Sequence, residues 1–248
     1  MDEKAREWWN SWADRFQEEY GDGEIQVGLD WGPGAPKDDD LGLLGDLDGT
    51  KAIELGCGGA QFGIAVSKRG ADVTGVDISA AQLGHARKNA ERHGQDIEFI
   101  ESSVTDLSTV PDGAFDLGFS AFAFQWVEDL EACFEEAARI LTDGGRLVFS
   151  VDPPYYKLLD PGTGEFARSY FDPSPRRAYS EELDAEMVIH RRPVSETVNL
   201  LVDAGFAVEE VREPGYADPE AYVSEFGSFD PELMANVPPT VIYAARKE

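Results

Sequence analysis

AIELGCGGAQFGIAV, residues 52–66, decides the fold. An apolar run enters a glycine-rich turn, and a second apolar run leaves it as a prospective helix. This arrangement brings backbone close to a ligand at the carboxyl end of a sheet, because glycine has no Cβ to obstruct the approach. The spacing of Gly56 and Gly58 asks for another glycine at position 60, where alanine stands. A methyl group is tolerated there if φ is negative.

Outward from this turn, strands and helices alternate. KAIELG, ADVTGVD, DIEFIES, FDLGFSAF and RLVFSVD read as strands. QFGIAVSKRG, ISAAQLGHARKNAERHG and DLEACFEEAARILTDGG read as helices, the first two stopped by Gly70 and Gly94. The alternation predicts a doubly wound α/β Rossmann-like sheet, mostly parallel, with helices on both faces. SETVNLLVDAGF adds a helix, and AVEEVREP and TVIYAAR predict a closing antiparallel pair at one edge, with TVIYAAR as the antiparallel last strand.

The flanks differ. Residues 4–20 read as a helix whose Trp8, Trp12, Phe16 and Tyr20 form one aromatic stripe, either packed on the core or closing a lid. Trp31, Gly32 and Pro33 lie in a loop placed to bend over the ligand. Residues 153–193 break the rhythm with prolines and aromatics, and ARSYF and EMVIHRR are expected to pair over the sheet's open end. The expected organisation is one domain, 1–248. It comprises a lid helix and loop (1–45), a binding core (46–152), a cap insertion (153–193) and a closing helix with edge strands (194–248).

Asp77 ends the second strand, 21 residues after Gly56, where an acid accepts hydrogen bonds from ribose hydroxyls. Its blander role is to cap the following helix. A dinucleotide fingerprint needs glycine at position 61, and Gln61 stands there. Glu54 would repel a pyrophosphate and suits an ammonium or sulfonium. S-adenosylmethionine (SAM) carries both and no phosphate.

ELGCGGAQ, followed by VTGVDIS, resembles motif I and the ribose-binding acid of the class I SAM-dependent methyltransferases. FDLGFSAFAFQWVEDL and ARILTDGGRLVFSV extend the resemblance, which covers residues 40–152 and is nearest to the small-molecule branch with the ubiquinone and menaquinone methyltransferases. It implies SAM as cofactor, S-adenosylhomocysteine as product and a small-molecule acceptor. The backbone of Gly56, Cys57 and Gly58 would line the methionine part, and Glu54 would orient the turn or meet the ammonium through water. Asp77 would hold ribose and Ile78 would pack on adenine. Ser103 and Val104 would stand at the adenine edge, where the family often has Asp and Ala; Ser103 is the weaker partner for an amino group. Ser120 and Ala121 would run beside the methionine chain, with Gln125 and Trp126 near the substrate entrance.

Methyl transfer needs an acceptor placed in line with the donor, water excluded, and a base only if a proton leaves during transfer. No catalytic motif stands out. His190 and Tyr155 are the candidates for a catalytic role, Arg191 and Arg192 for holding a substrate carboxylate or for surface ion pairs, and Tyr155, Tyr156, Tyr170 and Phe171 for an aromatic wall or cap packing. An NAD-dependent oxidoreductase, an RNA or protein methyltransferase and a non-catalytic SAM-binding module stay open as alternatives.

The net charge of −28 is dispersed, which suggests a halophilic protein whose surface is screened by salt. No basic stripe suits nucleic acid, and no apolar run suits a membrane. Cys57 and Cys133, without a secretory pattern, are expected to be free thiols in a reducing cytoplasm. His85, His93 and His190 lack metal-ligand spacing with them. Oligomeric state is left open.

Overall fold

The computed structural model of the chain describes residues 2–18, 27–160, 163–215 and 231–248. Tyr20, part of the expected lid helix, lies outside them. Seven strands form one sheet: β1 Lys51–Leu55, β2 Asp72–Asp77, β3 Glu98–Glu101, β4 Phe115–Ala121, β5 Leu141–Val151, β8 Phe206–Arg212 and β9 Val241–Lys247, in the order β3-β2-β1-β4-β5-β9-β8. β1 pairs in parallel with β2 and β4, and β9 runs antiparallel between β5 and β8. The edge pair read from the sequence is therefore present.

Alternate residues of each central strand feed opposite faces, as the two-residue strand period requires. Ala52, Val148 and Ile242 join one core cluster with Ile64 and Val66 of α3 (Gln61–Ser67) and Ala86 of α4 (Ala80–Arg92). Ile53, Phe149 and Tyr243 join the other, with Phe134 of α5 (Leu130–Ile140) and Leu201 of α6 (Val194–Asp203). Two short helices, α2 (Asp38–Leu41) and α7 (Pro231–Met234), complete the helical set among the described residues. Side chains start two of the long helices: Ser79 Oγ accepts the Gln82 N–H and Asp129 Oδ1 the Ala132 N–H.

The order of strands reverses between β1 and β4, and the crevice at their carboxyl ends is where such sheets place ligands. Over it lie α1 (Glu3–Phe16) and a two-stranded hairpin, β6 (Arg176–Ser180) with β7 (Ala185–Ile189). The hairpin corrects the sequence reading. EMVI of the expected strand is present, but its partner is RRAYS rather than ARSYF, which lies outside any strand. α1 packs against both β7 and α4.

Ala60 does not meet the condition of a negative φ. Its φ is +61°, in the left-handed region, and its methyl group is fully buried. The turn dictates this. Gly56 and Cys57 N–H both donate to the Val76 carbonyl, and the Ala60 N–H returns to the Cys57 carbonyl. Strain of about 1–2 kcal/mol is stored there. Ala60→Gly relieves it but removes a buried methyl and loosens the unfolded chain, so its net effect is expected within about 1 kcal/mol of zero. Ala60→Val adds β-branching and volume in a filled site and is expected to cost about 2 kcal/mol. Denaturant unfolding of the two variants checks both values.

Candidate active site

The glycine turn sits at the base of a cleft of about 480 Å³. Its floor is Glu54, Gly56, Cys57 and Gly58 from the end of β1, with Asp77 and Ile78 from the end of β2. Ser103 and Val104 close one end, and residues 121–127 after β4 form a side wall. α1 supplies Trp9, Trp12 and Phe16 as a roof, and the hairpin supplies Arg176, Met187 and Ile189.

The turn is built for close approach. Gly56 has φ +77°, and a Cβ on it would stand 2.4 Å from the Ala123 methyl. Asp77 braces the loop above: its Oδ2 accepts the Gly58 N–H at 2.8 Å and its Oδ1 the Ser79 N–H at 2.9 Å. Burial pushes the Asp77 carboxyl up to about 6, against the lowering pull of these backbone donors. Glu54 Oε2 accepts the Gly63 N–H at 2.9 Å, fixing the start of α3 on β1. Burial drives the Glu54 carboxyl up to about 8, the Gly63 hydrogen bond opposes this, and the neighbouring Asp77 charge adds to it.

Charge around the cleft is one-sided. Asp2, Asp30, Glu54, Asp77 and Asp152 line it, against Arg176 as the basic residue among the described lining residues. Such a site favours a cationic ligand and disfavours a pyrophosphate. Among the described residues no group of three His, Cys, Asp or Glu side chains could hold a metal ion.

Most residues singled out in the sequence converge here: Glu54, Gly56, Cys57, Gly58, Asp77, Ile78, Ser103, Val104 and Ala121 all line the cleft, as do Gln125 and Trp126. Ser120 does not. It is fully buried, and its hydroxyl donates to the Leu55 carbonyl at 2.6 Å, tying β4 to β1. His190 and Tyr155 also lie off the lining. The His190 N–H donates to the Gln125 carbonyl, and burial, then Arg192, lowers its imidazole value. The Tyr155 hydroxyl donates to Glu213 at 2.7 Å, and burial followed by that carboxylate raises its value.

Arg191 and Arg192 are spent on structure. Arg191 donates to the Asp172 and Ser174 carbonyls, and Arg192 to the Val127 and Glu128 carbonyls at 2.7 Å. Trp31 turns into the core instead of over the cleft: it is fully buried, stacks edge-on against Phe62 at 4.8 Å and donates Nε1–H to Asp38. Gly32 and Pro33 beside it do line the cleft. Both cysteines are free and buried.

The sequence reading missed Trp9, Arg176 and Asp2. Trp9 meets Trp126 at 4.9 Å, which joins the roof to the wall after β4. α1 is pinned to α4 by polar contacts: Asn10 Oδ1 accepts the Ser79 hydroxyl, His85 meets Asp14 at 2.7 Å, and Gln17 bridges Gln61 and Gln82. No described helix is long and apolar enough to cross a membrane.

Residues 53–149 match the family described as methyltransferase domain. A ubiquinone biosynthesis O-methyltransferase of Alkalilimnicola ehrlichii is 28% identical over 155 residues, 57% of this chain and 62% of its own length. A demethylmenaquinone methyltransferase of Thermus thermophilus is 36% identical over 106 residues, 42% of this chain and 48% of its own. The chain thus spans less than two thirds of both relatives. The solved structure of an S-adenosylmethionine dependent methyltransferase from Mesorhizobium loti is 28% identical, with a TM-score of 0.67 over 84% of this chain and 95% of that one. Residues 53–149 thus match a methyltransferase domain, and the chain is similar in fold and sequence to a solved SAM-dependent methyltransferase.

Proposed function

We propose that the chain binds SAM on the glycine turn and transfers its methyl group to a small, largely apolar acceptor bearing an acidic hydroxyl or carboxyl group. The observation that carries this reading is the union, in one cleft, of the carboxylate-rich turn with an aromatic roof. When bound, SAM supplies an already activated methyl group on a sulfonium.

The chain's own residues bind, orient and exclude water. The Gly56–Gly58 backbone and Glu54 would hold the amino-acid end, and Asp77 the ribose. Trp9, Trp12, Phe16 and Trp126 present apolar faces that desolvate an aromatic acceptor and keep water from the reaction centre. Arg176 stands as the cation for an acceptor anion; its charge lowers the value of a bound phenol, so that the acceptor arrives ionised and needs no general base. The quinone-pathway names of the two relatives support a phenolic acceptor of this kind.

The test is methyl incorporation from labelled SAM into hydroxylated quinone precursors and simple phenols. Arg176→Ala is expected to raise KM for an anionic acceptor about tenfold and to leave S-adenosylhomocysteine affinity unchanged. Failure of the unaltered chain to bind S-adenosylhomocysteine in a calorimeter overturns the reading.

A further inference from the structure

Asp2 occupies the capping position of α1, yet its carboxylate makes no cap hydrogen bond there. It reaches the segment after β3 instead. Oδ2 accepts the Ser103 hydroxyl in a short hydrogen bond and the Thr105 hydroxyl at 3.1 Å, across 101 and 103 residues of sequence. The other oxygen, Oδ1, is buried and has no hydrogen-bond donor. An orphaned carboxylate oxygen is costly, so a donor is its expected partner once a small turn of the Asp2 side chain brings it to the cleft.

Resting on the SAM reading above, we infer that Asp2 supplies the acceptor for the exocyclic amino group of adenine, making an N-terminal lid residue part of the cofactor site. Three features lead there. Asp2 lines the cleft with Ser103 and Val104, the end away from the Gly56 turn. Adenine presents an N–H₂ donor on the edge that reaches farthest from ribose. Ser103 has only a hydroxyl, and it is spent on Asp2, so the strong acceptor at this end is the Asp2 carboxylate.

Asp2 precedes the first turn of the helix that carries Trp9 and Trp12, the roof over the acceptor space. A cofactor that engages Asp2 therefore fastens this roof. The linkage is reciprocal: whatever affinity Asp2 adds to the cofactor, the cofactor returns as order in α1.

Calorimetry distinguishes the possibilities, using S-adenosylhomocysteine and its deaminated analogue, in which a carbonyl replaces the amino group. The unaltered chain is expected to prefer the amino form by about tenfold or more. Asp2→Ala is expected to bind it about tenfold more weakly and to lose the preference. Asp2→Asn, whose amide can donate to the carbonyl, is expected to shift preference toward the analogue. Ser103→Asp in the Asp2→Ala chain restores a carboxylate at the same edge and is expected to recover preference for the amino form, a result that loss of folding cannot imitate. Equal affinity and equal selectivity in the unaltered and Asp2→Ala chains overturn the assignment while leaving cofactor binding intact. Absence of binding by the unaltered chain overturns the SAM reading itself, and this assignment with it. In the same samples, S-adenosylhomocysteine is expected to slow hydrogen exchange of α1 amides in the unaltered chain and to lose that effect in Asp2→Ala.

Discussion

Asp77→Ala is expected to weaken S-adenosylhomocysteine binding by about 10- to 100-fold, the range for losing charge-assisted hydrogen bonds at 1.5–3 kcal/mol. Two losses combine. In the proposed binding mode the ribose hydroxyls lose their charged acceptor, and the Gly58 N–H loses the oxygen that sets the loop's path 2.8 Å away. Asp77→Asn separates these roles. Its carbonyl can still accept the Gly58 N–H and hold the turn, whereas the charge is gone; its expected loss is smaller, about tenfold. The pH dependence gives an independent check. Burial holds the Asp77 carboxyl at about 6. Hydroxyl donors favour its ionised form, so binding to the unaltered chain tightens as pH rises through about 6 and weakens below it. The Asn variant is expected to lack that limb. Calorimetric affinities that are the same for Asp77→Ala and the unaltered chain would remove Asp77 from the ribose site.

How far the sequence carries the fold depends on whether a feature has a local cause. β1, the glycine turn and α3 are legible because apolar periodicity and glycine act over a few residues. Cys57 to Asp77 converge for the same reason: the end of each parallel strand delivers its residues to one edge of the sheet. The conformation of Ala60 was not legible, because alanine by itself prefers the right-handed helix. Its positive φ belongs to a turn in which its own N–H returns to the Cys57 carbonyl while Gly56 and Cys57 donate to Val76, and the Val76 bonds exist only once β2 is beside β1. The hairpin register was misread because RRAYS is largely exposed and its burial lacks a clean alternation, so periodicity favoured the more aromatic ARSYF. Of the expected stripe, Trp8, Trp12 and Phe16 lie on α1 and Tyr20 lies outside the described residues. A helix wedged between α4, β7 and the cleft has apolar neighbours on more than one face, so Trp9 meets the cleft while Trp8 is buried without lining it. Asp2 gave no sequence signal at all. Its partners are about a hundred residues away, and an acid before a helix reads as an ordinary cap.

The second large effect belongs to Glu54, and it acts on stability. Its carboxyl moves from 4.5 to about 8, mainly by burial. An acid whose value is raised by folding is best accommodated when neutral. Its contribution to stability is therefore intact below about 4.5 and is lost as pH rises through about 8. The shift corresponds to a loss on the order of 4–5 kcal/mol across that interval, a large share of a domain's net stability. Glu54→Gln keeps the volume and an acceptor for the Gly63 N–H but cannot ionise. From pH 5 to 9 the variant is expected to lose less stability than the unaltered chain, keeping the smaller fall that the raised Asp77 carboxyl gives near pH 6, so the two unfolding curves diverge toward alkaline pH with the variant the more stable. The ligand tests the same group from the other side. In the proposed binding mode an ammonium beside Glu54 would favour its charged form, so S-adenosylhomocysteine is expected to release a proton on binding at pH 7 and to restore alkaline stability to the unaltered chain alone. The variant, without that charge, is expected to bind more weakly and to release less. Thermal unfolding of both chains at pH 5, 7 and 9, with and without S-adenosylhomocysteine, measures each of these outcomes. Parallel curves for the two chains would mean that Glu54 is ionised throughout, and that the floor of the cleft stores no such penalty for a cation to relieve.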